Sequence, residues 1–128
     1  MNLRISGLLA IAAFALASVL GSVPVQAQFT QQAKLVGTDT VGEATQGISV
    51  SVSGDGNTAI LGGWADNNGT GAAWVFVRSG AVWTQQGPKL IGTVAIGAAH
   101  QGISVSISAD GNTAIVGSSI DNNFAGAA

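Results

Sequence analysis

Residues capable of nucleophilic or acid–base catalysis are few in this sequence. His100 is the single histidine, and the chain has no cysteine. A catalytic histidine needs a nucleophile and an orienting group beside it, and no serine is singled out by its neighbours. The residue aligned with His100 in an internal repeat is Thr45, so the architecture does not require a histidine there. We therefore predict no catalytic residue, a surface-loop role for His100, and a protein that is not an enzyme.

Carboxylates offer a second chemistry, the binding of a cation or a ligand. Asp55 and Asp110 each precede a glycine at equivalent positions of the repeat, which favours a role as turn residues. Asp39 and Glu43 are not repeated, so a specific contact would lie in their loop, although a solvated loop is the simpler interpretation. We predict no metal site and no cofactor, with these four residues as weak candidates.

Polar loops that follow an apolar strand supply the candidate binding residues. Asp66 and Asp121 begin two equivalent Asp-Asn-Asn loops, and repetition favours a structural role in which these side chains bond the local backbone. The alternative is a repeated rim of polar contacts. Trp64 directly follows a strand, where it could stack on a sugar, whereas Trp74 and Trp83 lie within strands and are expected in the core. The binding-loop candidates are Trp64, Asp66, Asn67, Asp121 and Asn122.

The charge balance excludes some partners. Beyond Arg4 the chain has three basic residues (Lys34, Arg78 and Lys89) against six acidic ones. Nothing in this balance attracts a phosphate backbone, and no basic amphipathic stretch suits a membrane surface. We therefore expect no nucleic acid partner and no stable membrane anchor.

The first 27 residues have the three parts of a secretory signal. Arg4 forms the positive region, Leu8–Leu20 the apolar region, and Val25–Ala27 the small-residue cleavage site. A membrane anchor is the alternative, but the apolar run is shorter than the ~20 residues that a bilayer needs. The sequence therefore predicts export to the periplasm or the medium, with a mature protein that starts at Gln28.

The remainder is an internal repeat. Residues 34–73 align without a gap on residues 89–128, at an offset of 55 residues and with 26 of 40 positions identical. A period of this size is typical of propeller blades and solenoids, in which one unit cannot bury its apolar face alone. We divide the chain into a signal peptide (1–27) and a partial β-propeller (28–128), with a blade repeat at 34–88 and an incomplete repeat at 89–128.

Each unit has the pattern of antiparallel strands. Ile48–Ser53 alternates apolar residues with serines, and an Asp-Gly turn connects it to a second strand, Thr58–Gly63. Ala72–Arg78 and Ala81–Ile91 follow as the third and fourth strands, with a bulge expected at Pro88. Four such strands make one propeller blade, so the predicted fold class is all-β, with the serine-bearing first strand innermost at a crowded axis.

These residues resemble a known repeat. Gly47–Val52 and Asp55–Gly63 are similar to the FG-GAP repeat, the blade unit of the integrin alpha-subunit propeller, and especially to bacterial exported proteins built from such blades. The resemblance covers roughly residues 31 to 128 and implies a β-propeller with a role in extracellular binding. Many such blades hold calcium in an acidic loop, but the matching positions here retain a single carboxylate, so calcium is not expected. Those positions are Ser51, Ser53, Asp55 and Ala59, and in the second unit Ser106, Ser108, Asp110 and Ala114.

The function predicted from these observations is a non-enzymatic exported β-propeller repeat module for extracellular or periplasmic binding or scaffolding. Its partner would be a protein or a glycan. The alternatives are a subunit of a structural or adhesive β-repeat fibre and the substrate-binding frame of an exported enzyme. The second unit stops at Ala128, where the third strand of the first unit begins, and Phe29–Val36 resembles a fourth strand. We therefore expect a fragment of a larger propeller that self-associates through unfinished blades.

Overall fold

A computed structural model describes residues 29–128, and the predicted signal segment lies outside this range. The protein is all-β, as the sequence predicts. Residues 29–128 contain six strands, with a four-residue helical turn after β2 and another after β6. In chain order the elements are β1 (Ser49–Val52), β2 (Thr58–Gly63), α1 (Asp66–Gly69), β3 (Ala72–Ser79), β4 (Val82–Gln85), β5 (Gln101–Ile107), β6 (Ala114–Ser118) and α2 (Asp121–Phe124).

The first unit is a four-stranded antiparallel sheet in the order β1-β2-β3-β4. The predicted turn closes its first hairpin: the Gly56 backbone N–H donates to the Ser53 carbonyl oxygen at 2.9 Å, and Gly56 has φ +69°. That φ lies in the left-handed region, which a glycine enters without steric cost. This sheet confirms the blade predicted from the strand pattern.

The fourth strand is shorter than predicted. It ends at Gln85 rather than continuing to Ile91, because Gly87, with φ +71°, and Pro88 interrupt the ladder. The chain returns to β3 at Leu90, which exchanges two backbone hydrogen bonds with Ala73, at 2.7 and 3.0 Å. The interruption expected at Pro88 is therefore present, and it splits the strand.

The prediction that Phe29–Val36 resembles a strand is wrong for this structure, in which the segment has no regular secondary structure. The Arg78 guanidinium donates to the Gln32 side chain at 3.2 Å, so the segment passes close to β3. Both edges of β3 are already paired, with β2 and β4. A segment becomes a strand only through backbone hydrogen bonds to a neighbouring strand, and the contact of this segment with β3 is between side chains.

The second unit contributes a two-stranded sheet, β5-β6, to the described residues. It repeats the first hairpin, including the glycine turn, since Gly111 has φ +73° and donates to Ser108 at 2.9 Å. β5 packs across β1 and β2 of the first unit. The repeated sequence therefore folds into repeated hairpins that lie against one another.

The core lies in the first unit. Trp74 and Ile60 are fully buried. The cluster around Trp74 comprises Ala44, Leu61, Ala72, Trp74 and Phe76, with Leu35 and Trp83 packed against it. This confirms that Trp74 and Trp83 pack in the core.

β1 alternates serines with apolar residues, as predicted, and its serine face is the one that the neighbouring unit covers. The Ser49 hydroxyl donates to the Gly102 carbonyl at 2.8 Å, and Ser51 Oγ accepts from the Ile107 backbone N–H at 3.2 Å. Val50 and Val52, on the other face, are 65% and 57% exposed. Small serine side chains let the neighbouring unit approach closely. The innermost position of β1 at a propeller axis stays a prediction.

Candidate functional site

The candidate residues divide between the two ends of the strands. Asp55 and Asp110 lie in the hairpin turns at one end. The other end carries the loops before β1 and β5 and the turns α1 and α2. Because β2 ends and β3 begins there, this loop end collects all the remaining candidates: Asp39, Glu43, Trp64, Asp66, Asn67, His100, Asp121 and Asn122.

Asp66 is fully buried, so its carboxylate is not offered to a ligand at the surface. Its Oδ1 accepts from the Val41 backbone N–H at 2.8 Å, and its Oδ2 lies 2.6 Å from the Lys89 ammonium. The equivalent Asp121 accepts from the Ile96 backbone N–H at 2.7 Å. Both aspartates therefore have a structural role, as repetition suggests, but they bond a preceding loop 25 residues away rather than the local backbone.

The asparagines that follow these aspartates are exposed. Asn67 and Asn68 have φ of 49° and 55°, and Asn122 and Asn123 have φ of 48° and 57°. Asparagine enters this left-handed region more readily than most residues, which explains why the pair is repeated. The conformation turns the chain sharply and leaves their side-chain amides at the surface.

Asp39 connects two elements of the first unit. Its Oδ1 accepts from Trp74 Nε1 at 3.2 Å, and its Oδ2 accepts from the Lys89 backbone N–H at 3.0 Å. The Lys89 N–H is the main cause that holds the pKa of this carboxyl below its ordinary value, with a smaller contribution from Trp74. Glu43 lies nearby along the chain and is exposed.

Asp55 and Asp110 are turn residues in the structure. The Ser53 hydroxyl donates to Asp55 Oδ1 at 2.6 Å, and the Asn57 backbone N–H donates to the same oxygen at 3.0 Å. Ser108 and Asn112 bond Asp110 in the same way, at 2.5 and 3.0 Å. The serine hydroxyl is the main cause that lowers the pKa of each carboxyl. Within residues 29–128, no group of three or more histidine, aspartate or glutamate side chains is placed to hold a metal ion.

An aromatic pair at the loop end is the feature that sequence reasoning missed. The ring centroids of Trp64 and His100 lie 4.4 Å apart at an interplanar angle of 57°, and both residues are half-buried. Their counterparts in the repeat are Ser119 and Thr45. The pair therefore joins two residues that the repeated architecture does not require. The signal available in the sequence was that both positions differ between the two repeat units.

A comparison with protein families identifies the repeat. Residues 29–76, which contain β1, β2 and most of β3, match the model of the FG-GAP repeat. Residues 29–76 therefore contain an FG-GAP repeat. This confirms the resemblance seen in the Gly47–Val52 and Asp55–Gly63 motifs, and a repeat of this kind indicates a β-propeller-type module. No curated protein and no solved structure is significantly similar to it.

Proposed function

We propose that this FG-GAP repeat protein is a non-enzymatic exported module that binds a protein or glycan partner in the periplasm or outside the cell. FG-GAP repeats occur in extracellular and exported proteins, and residues 1–27 have the pattern of a secretory signal. Among the helices of residues 29–128, none is long and apolar enough to cross a membrane. The occurrence of the repeat in exported proteins and the signal-like segment favour export as the context of the proposed binding function.

Several ionisable side chains of the loop end already make contacts within the protein, and this favours binding over catalysis. His100, the single histidine, packs against the Trp64 ring. The carboxylates of Asp39 and Asp66 hold loops and strands of the first unit together. A catalytic base must instead be free to take a proton from a bound substrate within hydrogen-bond reach. The loop end therefore has the character of a contact surface.

The Trp64–His100 pair carries the proposal. An ideal Cβ at Gly69 would lie 3.4 Å from the His100 ring, so the turn with its exposed Asn67 and Asn68 adjoins the aromatic pair. An aromatic face beside amide groups offers a stacking surface together with hydrogen-bond donors and acceptors. Such a combination suits a sugar ring or a peptide segment of a partner protein.

The test replaces each aromatic residue with its counterpart in the repeat. The double variant Trp64→Ser/His100→Thr carries side chains that the same fold already holds at Ser119 and Thr45. The wild-type protein and the variant are screened against an array of defined oligosaccharides and a phage-displayed peptide library. We expect the wild type to select a ligand from one of them and the variant to bind it at least about tenfold more weakly, or about 1.4 kcal/mol.

Two results would contradict the proposal. One is that neither probe yields a ligand whose binding depends on Trp64 and His100. The other is turnover of an oligosaccharide or a model ester that His100→Thr abolishes, because that result would favour the enzyme alternative. The variant Asn123→Ser alters an exposed residue of the second unit and serves as the matched control, with unchanged binding expected.

A further inference from the structure

The two units of the chain already make one face-to-face contact, which we call the inner contact. The first unit contributes its serine face, namely Ser49 and Ser51 of β1 with Ile60 and Gly62 of β2. An ideal Cβ at Gly62 would lie only 1.9 Å from the Gly102 carbonyl oxygen, so β5 reaches the backbone of β2 itself. The covered face of the first unit therefore combines two serines and a glycine with the buried side chain of Ile60, and the backbone of β5 lies directly against it.

The second unit contributes the opposite face of the repeat to the inner contact. Its side chains are Ile103, Val105 and Ile107, which are half-buried, whereas Ser104 and Ser106 between them are exposed. Gly102 begins this face with φ +81°, and an ideal Cβ there would lie 2.2 Å from the Ala72 carbonyl oxygen. The contact thus joins the serine face of one unit to the apolar face of the next.

Because the two units are repeats, the first unit also has an apolar face, and it is uncovered. Ile48, Val50 and Val52 are the counterparts of Ile103, Val105 and Ile107, and they are 54%, 65% and 57% exposed. Gly47 has the conformation of its counterpart Gly102, with φ +88°, but nothing lies within 4 Å of an ideal Cβ there. Val50 and Val52 of this face line a groove of about 370 Å³ together with Leu35 and Leu61.

The second unit likewise has an uncovered serine face. Ser104, Ser106, Ile115 and Gly117 are the counterparts of Ser49, Ser51, Ile60 and Gly62. Ser104 and Ser106 are exposed, and Ile115 is 59% exposed, whereas Ile60 is fully buried. The two uncovered faces are therefore the repeat equivalents of the two faces that form the inner contact.

We propose that a second copy of this chain covers these faces, with the serine face of one copy's second unit packed on the apolar face of the next copy's first unit. The inner contact supplies the hydrogen bonds by equivalence. Ser104 Oγ would donate to the Gly47 carbonyl of the next copy, as Ser49 donates to Gly102. Ser106 Oγ would accept from the Val52 N–H of the next copy, as Ser51 accepts from Ile107.

Charge complementarity adds to this docking. Lys89 of the second unit pairs with Asp66 of the first at 2.6 Å. Their counterparts are Lys34, which is exposed, and Asp121, and the same docking brings Lys34 of one copy to Asp121 of the other. Phe124 stands where the first unit has Gly69, so the close approach that Gly69 permits at the loop end of the inner contact is not repeated in this docking. The strands and the hairpin turns carry the association.

A contact of this kind joins two different faces, so each docked copy offers its free faces to further copies. Heterologous contacts close into rings when the rotation permits and otherwise form filaments. The proposal names a partner for the strand faces and does not rest on ligand binding at Trp64 and His100.

The experiment uses protein expressed from the whole 128-residue chain, with its molar mass measured by light scattering at increasing concentration. Val50→Lys places a charge on the apolar face, and Ser106→Asp places the opposite charge on the serine face. Both positions are exposed, so neither change disturbs the fold of one copy. Val82→Lys is the matched control, because Val82 is 66% exposed on the outermost strand and belongs to neither uncovered face.

We expect wild type and Val82→Lys to form oligomers as concentration rises, and each face variant to stay monomeric. A mixture of the two face variants should assemble again, because the unaltered serine face of the Val50→Lys copy can dock on the unaltered apolar face of the Ser106→Asp copy. Three results would overturn the proposal: a monomeric wild type up to about 1 mM, assembly that Val50→Lys leaves unchanged, or a mixture that stays monomeric. The second would indicate pairing through the edge of β6. The Trp64→Ser/His100→Thr variant should assemble like wild type, which separates this test from that of the ligand site.

Discussion

The ion pair between Asp66 and Lys89 shows how single residues hold the loop end. Asp66 is fully buried and the Lys89 side chain is 11% exposed, so both charges have left water. Such a pair adds little to the stability of the fold compared with apolar side chains of similar size. The loss of one partner, however, leaves the other charge unpaired in a poorly solvating interior. The pair also connects the start of the second unit to the first. Its importance lies in the cost of breaking it.

Lys89→Met should therefore destabilise the protein by about 3–5 kcal/mol, because it leaves the Asp66 carboxylate buried without its counterion. The measurement is urea unfolding followed by tryptophan fluorescence. Lys34→Met is the matched control: Lys34 occupies the equivalent position of the repeat but is exposed, so a change within about 0.5 kcal/mol is expected. Both are measured at concentrations where wild type is monomeric. Equal effects of the two substitutions would show that the pair does not have the role assigned to it.

The residue scale is also where the sequence revealed least. The repeat correctly suggested a structural role for Asp66, but Lys89, its partner, lies 23 positions along the chain and cannot be inferred from local pattern. The same holds for Trp64 and His100, which meet only because β5 packs on the first unit. Local turn chemistry is different: Asp55 was predictable because its partners, Ser53 and Asn57, lie within two residues.

Single elements were predicted well where a strand and its partner are neighbours in sequence. β2 has the predicted bounds, Thr58–Gly63, since alternation in the preceding strand and the Asp-Gly turn define the hairpin. The fourth strand and Phe29–Val36 were predicted less well. Whether an extended segment becomes a strand depends on an open edge beside it, and edges are set by the whole sheet.

The hairpin turn offers a direct test at this scale. Gly56→Val should destabilise the protein by about 1–3 kcal/mol, because a β-branched side chain is strained at φ +69°. Space is not the obstacle, since the nearest atom to an ideal Cβ, an Arg78 nitrogen, is 3.6 Å away. Gly56→Asn is the control: asparagine tolerates a positive φ and should cost clearly less. Thermal unfolding measures the stability of both variants. If Gly56→Val were no less stable than Gly56→Asn, that would argue against backbone strain at this turn.

At the scale of the whole molecule, burial is distributed unevenly between the two units. The fully buried Trp74 and Ile60 belong to the first unit, whereas β6 of the second has exposed Ala114 and Ile115. The sequence indicated repeated units with two distinct faces, but not which face is covered. Which face is covered depends on how the units stack. Covering the serine face is favourable only when a neighbouring backbone comes close enough to form hydrogen bonds with the serine hydroxyls.

Hydrogen exchange should reveal this unevenness and respond to assembly. In dilute protein, amides of β2 and β3 should exchange slowest, because both strands are paired on two sides. Amides of β6 should exchange fastest of the strands. Within the described residues, the outer edge of β6 is bonded only through the Ser118–Ala127 bridge. Raising the concentration should slow exchange in β1, β5 and β6, where the proposed docking covers the uncovered faces, while β4 stays unchanged. Val50→Lys should remove the concentration dependence and leave the dilute pattern intact. Equal protection of both units in dilute protein would contradict the uneven burial, and a concentration effect confined to β6 would place the association at its edge rather than at the two faces.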